Sequence, residues 1–213
     1  MTYLLRALTA VCLFSALAAI PARADGIQAF SFSSAAYRVD DPFAGELGFD
    51  FSTGSSDVLV TALGYINDGF DGTHTVAIFD FATRTILANA MATVTTVGGG
   101  ATSTTFTYID LADPVTLAAN TQYVLVSQFF AGEHYFSNAI GLTSQNGLTM
   151  GNGVYSYAGT PATPFFPLGS TSATSPGDFG PNMKVMTPVP ELSSIYLVAS
   201  GLFTFGMARL RRS

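Results

Sequence analysis

The chain has 213 residues, 48% of them hydrophobic and only 10% charged, with a formal net charge of −6. That apolar content excludes a disordered polyanion, and a single cysteine excludes a disulfide framework. The excess of acid over base argues against nucleic-acid phosphates as partners.

The first element is a targeting segment. Residues 1–6 carry one arginine, residues 7–20 are apolar, and Ala22-Arg23-Ala24 forms a small-x-small cleavage site before Asp25. That order is the layout of a secretory signal peptide over residues 1–24, removed by signal peptidase. Cys12 lies in the middle of the apolar stretch and follows Val11, where a lipidation site would carry a small residue. No lipid anchor is expected, and the exported chain keeps no cysteine for nucleophilic or thiolate-metal chemistry.

Residues 25–186 read as one domain with a full core. Short β-branched and aromatic runs recur between Gly, Asn, Asp and Pro, which predicts an all-β sandwich or barrel. Strands are expected at 29–38, 46–51, 58–66, 74–80, 85–94, 104–110, 123–130, 139–142, 149–157 and 182–186. Leu59, Thr61, Leu63 and Tyr65 alternate with Val58, Val60, Ala62 and Gly64, a half-buried pattern. Asp68-Gly69 and Asp71-Gly72 are turn dipeptides, and Gly98-Gly99-Gly100 is a hairpin tip. Residues 158–181, rich in Pro, Gly, Ser and Thr, are expected to be a long surface loop. Between residues 25 and 188 only Arg38, Arg84 and Lys184 are cationic against 13 acids, a net charge near −10. Such a surface suits neutral polysaccharide, divalent cations or plain solubility better than anionic lipid.

The last element, residues 187–213, has three parts: a stiff stem at 187–194, an apolar helix at 192–210 and a basic end at 209–213. The 17 residues from Leu192 to Ala208 would span about 26 Å as a helix, against roughly 30 Å of hydrocarbon. Arg209, Arg211 and Arg212 would stay on the cytoplasmic side. Val189-Pro190-Glu191-Leu192, then the apolar run, then the arginines, resembles the PEP-CTERM sorting tail of Gram-negative bacteria. Leu192 stands where the usual Val-Pro-Glu-Pro core has its second proline. The same tail family closes some ice-binding proteins. The resemblance implies an exosortase-type processing enzyme as partner and an inner-membrane intermediate. It further implies delivery to the outer surface or extracellular matrix.

The run from Val60 to Asp80 ends a strand in Leu63-Gly64-Tyr65, crosses an Asp/Gly loop and resumes at His74-Thr75-Val76-Ala77-Ile78-Phe79-Asp80. With Pro114–Leu125, it resembles an uncharacterised β-sandwich domain common in exported PEP-CTERM proteins. That resemblance implies a single jelly-roll-like antiparallel sandwich between a signal helix and a transmembrane sorting helix. It implies no activity.

Several side chains are candidates for chemistry. Asn67, Asp68 and Asp71 place three oxygen donors in five residues, part of a shell for Ca²⁺, which takes six to eight. Two solvated turns are the simpler reading, and no cofactor is required. Glu133-His134-Tyr135 pairs a carboxylate with an imidazole, and His74 has a place beside them across the sandwich. A hairpin tip at 131–134 is the simpler reading there, and His74 is expected to bond locally at its strand start. Tyr135, Tyr155 and Tyr157 are candidates for a sugar-stacking platform. The threonines at 93–96 and 102–105 lack the repeat that would tile an ice-binding array.

No catalytic residue is assigned. The first expectation is a non-catalytic exported surface or matrix protein associated with exopolysaccharide. A carbohydrate-binding module, with or without calcium, is the alternative, and a secreted hydrolase using Glu133 or His134 is the third.

Overall fold

The computed structural model describes residues 25–38, 44–67, 69, 72–97, 105–133, 135–157, 163–170 and 180–186. The signal segment at 1–24 and the sorting tail at 187–213 lie outside the described residues. What is described is all-β, built from antiparallel sheets.

A four-stranded sheet takes the order β1 (Ile27–Gln28), β14 (Pro181–Met186), β5 (Val58–Ile66), β8 (Phe106–Leu117). A six-stranded sheet faces it. Its order is β13 (Gly169–Ser170), β12 (Thr149–Ser156), β4 (Gly45–Ser52), β9 (Gln122–Phe129), β6 (Gly72–Asp80), β7 (Ile86–Thr96). Without β12 and β13, eight strands remain, and in chain order the first, eighth, third and sixth face the second, seventh, fourth and fifth. That arrangement is a jelly roll, two Greek keys folded against each other. Two small ladders sit beside it: β2 (Phe30–Ser31) with β11 (Thr143–Ser144), and β3 (Ser34–Arg38) with β10 (Tyr135–Ile140).

Alternation decides what fills the space between the sheets. Phe49 and Phe51 of β4, Tyr123 and Leu125 of β9, and Val76 and Ile78 of β6 project from the large sheet. Val58, Val60, Leu63, Met183 and Val185 meet them from the small one. Phe30 closes the packing with edge-on contacts to Phe49 and Phe51, at 5.0 and 5.8 Å between centroids. Each such side chain contributes roughly 1.5–3 kcal/mol on burial. Gly48 lets β4 approach β9 closely, since a Cβ there would stand 2.0 Å from the carbonyl oxygen of Leu125.

The large sheet is covered on its other face too. Ala77, Phe79, Val124, Val126 and Val154 form a second apolar cluster under Phe166, whose ring meets Phe79 edge-on at 5.8 Å. Part of the expected surface loop is therefore a cover. Pro164 and Pro167 are buried, and Gly169–Ser170 pairs with β12.

Three other expectations need correction. The strand expected at 29–38 is broken into β2 and β3, which pair in two different ladders, while β1 just before it joins the four-stranded sheet. The strand expected at 104–110 runs on to Leu117 through an irregularity opposite Thr61, where Pro114 sits without breaking the ladder. The half-buried pattern in β5 is not observed, because every residue but Leu59 is buried. Its flank is closed by Tyr108, whose ring lies against Gly64.

Candidate functional site

Two polar features stand out, one inside the sandwich and one on the outer face of the large sheet. The interior feature is built on β6. Alternation from Val76 and Ile78 sends His74 inward, where its ring stacks on Tyr65 of β5 at 3.6 Å and 6°. His74 Nδ1 donates to the backbone carbonyl of Gln128 at 3.1 Å, so in the neutral ring Nε2 carries no proton. That Nε2 lies 3.7 Å from Glu133 Oε1, beyond hydrogen-bonding distance. Glu133 Oε2 accepts from the Phe130 amide at 2.9 Å, fixing the turn at Ala131-Gly132. Gly72 makes room, because a Cβ there would stand 2.7 Å from His74 Nε2.

His74 is only 1% exposed, and burial pushes its pKa down to about 4, partly opposed by the bond to Gln128. A neutral imidazole stacked in the core is a packing element with one satisfied donor. The expected local bond of His74 is thus corrected: its partner lies 54 residues away, on the neighbouring strand. Glu133 Oε1 lies beside the His74 ring at 3.7 Å without a hydrogen bond. His134 lies outside the described residues.

A second buried acid has no counterpart among the sequence candidates. Glu46 of β4 is fully buried on the outer face, beside Gln128 and Ser156 in register, and neither carboxyl oxygen has a hydrogen-bond partner. Desolvation raises its pKa to about 8.

The outer feature is a cleft of about 290 Å³ at the other end of the same face. Two residues of β12, Gly151 and Asn152, bulge opposite Asp50 of β4. The Asn152 amide donates to Asp50 Oδ1 at 2.8 Å, and its side-chain amide stands 3.5 Å from Oδ2. Ser52, Gln122 and Thr149 line the cleft around that carboxylate.

The other sequence candidates are scattered. Asn67 Oδ1 accepts from the Thr107 hydroxyl at 3.1 Å, while Asp68 and Asp71 lie outside the described residues. Among the described residues, no group of three or more His, Cys, Asp or Glu side chains converges as for a metal ion. Tyr155 and Tyr157 adjoin at 5.4 Å but stand at 81°, so they offer no shared flat face. Tyr135 pairs with Arg38 in the β3–β10 ladder, and its side chain lies outside the described residues. Asp25 is exposed ahead of β1, whereas Ala22, Ala24, Val189, Pro190, Glu191, Leu192, Arg209, Arg211 and Arg212 lie outside the described residues.

A family model described as Domain of unknown function (DUF4082) matches residues 32–174. The chain belongs to that family. No curated protein matches it. The DUF4082 match spans the chain from Phe32 and holds both polar features, yet stops short of β14, which lies between β1 and β5 in the small sheet. The folded unit therefore extends past the DUF4082 match by at least that strand.

Proposed function

We propose that this protein is a non-catalytic surface or extracellular-matrix protein. It is exported by the secretory route, sorted through a PEP-CTERM/exosortase system and associated with extracellular polysaccharide. The observation that carries the reading is the order of parts at the two ends of the sequence: an apolar run closed by Ala22-Arg23-Ala24, and a Pro-containing stem, apolar run and arginine cluster at the other end. Between them lies a jelly-roll scaffold in which His74 is committed to packing, stacked on Tyr65 and held neutral. A general base has to reach a substrate proton within hydrogen-bond distance, and His74 is walled off from solvent. Before processing, the apolar tail helix holds the chain in the inner membrane, and signal peptidase and an exosortase-type enzyme are its processing partners.

The test is cell fractionation combined with turnover assays on the purified protein. The expected result is recovery from the envelope or matrix fraction with no release of reducing sugar or ester product. Sustained hydrolysis of a polysaccharide or an ester, lost on substitution of Glu133 or His134, would favour the hydrolase reading instead.

A further inference from the structure

We infer that the outer face of the six-stranded sheet, at the end holding Asp50, binds neutral polysaccharide. This deepens the matrix reading above and rests on it.

The register sets out the surface as two rows crossing four strands. In the first row, the Phe81 amide donates to the Gln122 carbonyl at 3.2 Å, Gln122 pairs with Ser52, and Ser52 pairs with Thr149. In the second, two residues back along each strand and so on the same face, Phe79 pairs with Val124 and Val124 with Asp50, with the β12 bulge beyond. Three strand spacings make the first row about 14 Å long, enough for a short run of sugar rings.

The chemistry changes along that row. At the β6 end stands an aromatic wall: Phe81 is 39% exposed and meets Phe166 edge-on at 6.0 Å. Phe166 is braced from beneath by Phe79 and capped by the Arg84 guanidinium at 5.4 Å. The Asp80 carboxylate holds the turn that leads to Arg84 by accepting from the Thr83 amide and hydroxyl at 2.7 and 2.9 Å, and the Arg84 amide donates to the Asp80 carbonyl at 2.9 Å. Toward β12 the floor becomes polar, with the Gln122 amide, the Ser52 and Thr149 hydroxyls, and the Asp50 carboxylate held by Asn152. The part-exposed Phe81 ring next to this row of polar groups matches a pyranose, which shows C–H groups on its face and hydroxyls at its rim. A polyanionic ligand is disfavoured because the exported body carries a net charge near −10 and Arg84, a cation at this end, already covers Phe166.

The test is affinity electrophoresis of the full chain in mild detergent, through gels holding a neutral glucan, mannan or galactan, with alginate as the polyanion. The expected result is retardation by at least one neutral polymer, undiminished at high salt, and none by alginate. Phe81→Ala and Gln122→Ala should each weaken retention roughly three- to tenfold. Tyr157→Ala, at an exposed tyrosine outside the cleft, should retain wild-type binding. Gln122 is exposed and its side chain supports no core contact, so that variant decides the matter should Phe81→Ala fold poorly. Three results overturn the proposal: no retardation by any neutral polymer, Phe81→Ala and Gln122→Ala variants that bind like wild type, or retention by alginate alone. Any of them leaves the export reading standing if the protein is still recovered from the matrix. Recovery from the cytosol would defeat that reading by itself.

Discussion

Glu46→Gln should remove the loss of stability that Glu46 causes as pH rises through the neutral range. Glu46 is fully buried with both carboxyl oxygens unpartnered, and its pKa rises from 4.5 to about 8 for want of solvation. The folded protein therefore holds a proton that the unfolded chain releases above pH 4.5. The stability tied to Glu46 is full below 4.5 and is lost as pH rises through 8. At about 1.4 kcal/mol per tenfold, the loss between pH 5 and pH 7 comes to roughly 2.5 kcal/mol. Glutamine has nearly the same shape and does not ionise, so its own burial penalty is constant with pH. Urea unfolding of both proteins at pH 5, 6 and 7 isolates the slope, because every other titrating group cancels in the difference. Glu46→Gln should gain about 2.5 kcal/mol on wild type across that interval, or about 5–10 °C in Tm. A difference that stays flat within about 0.5 kcal/mol would refute the reasoning: Glu46 would then be solvated or bonded in the folded protein.

His74 gives the opposite slope lower on the scale. Its folded pKa of about 4 lies below the ordinary 6.5, so the stability present above 6.5 falls as pH drops through 4, by roughly 3 kcal/mol. His74→Phe should keep the stack on Tyr65 and flatten that acid limb, as followed by circular dichroism between pH 7 and 4. Gly48→Ala should destabilise by about 2 kcal/mol or more, because its Cβ meets a backbone carbonyl that no rotamer change can move. Gly132→Ala is the contrast: its φ of 90° costs about 1 kcal/mol, but no atom lies within 4 Å of the new Cβ. Chemical denaturation distinguishes the two, and equal losses would contradict the close approach at Gly48.

The sequence was most legible where periodicity and burial agree. The strand read at 58–66 is β5 to the residue, and β4, β6, β9, β12 and β14 fall within two residues of their expected bounds. The broken start of the domain was not legible, because Ala29–Arg38 has the composition of a strand and the partners that divide it lie 97 or more residues away. Composition also hid the cover over the large sheet, since Pro and Gly around Phe166 read as a loop whether or not a phenylalanine is tucked beneath it. Glu46 and Asp50 occupy polar positions in a clean alternation, and the pattern says only that they leave the core. That one is fully buried and the other lines a cleft beside the β12 bulge is decided by packing the alternation does not show. The neighbourhood of His74 and Glu133 was anticipated in part, but the stack on Tyr65 comes from the second sheet, beyond the reach of local spacing.

Mass spectrometry of the protein taken from separated cell fractions measures both processing steps directly. The prediction is an envelope or matrix species that begins at Asp25 and lacks Arg209, Arg211 and Arg212. An uncut chain of 213 residues, soluble in the cytosol, would contradict it.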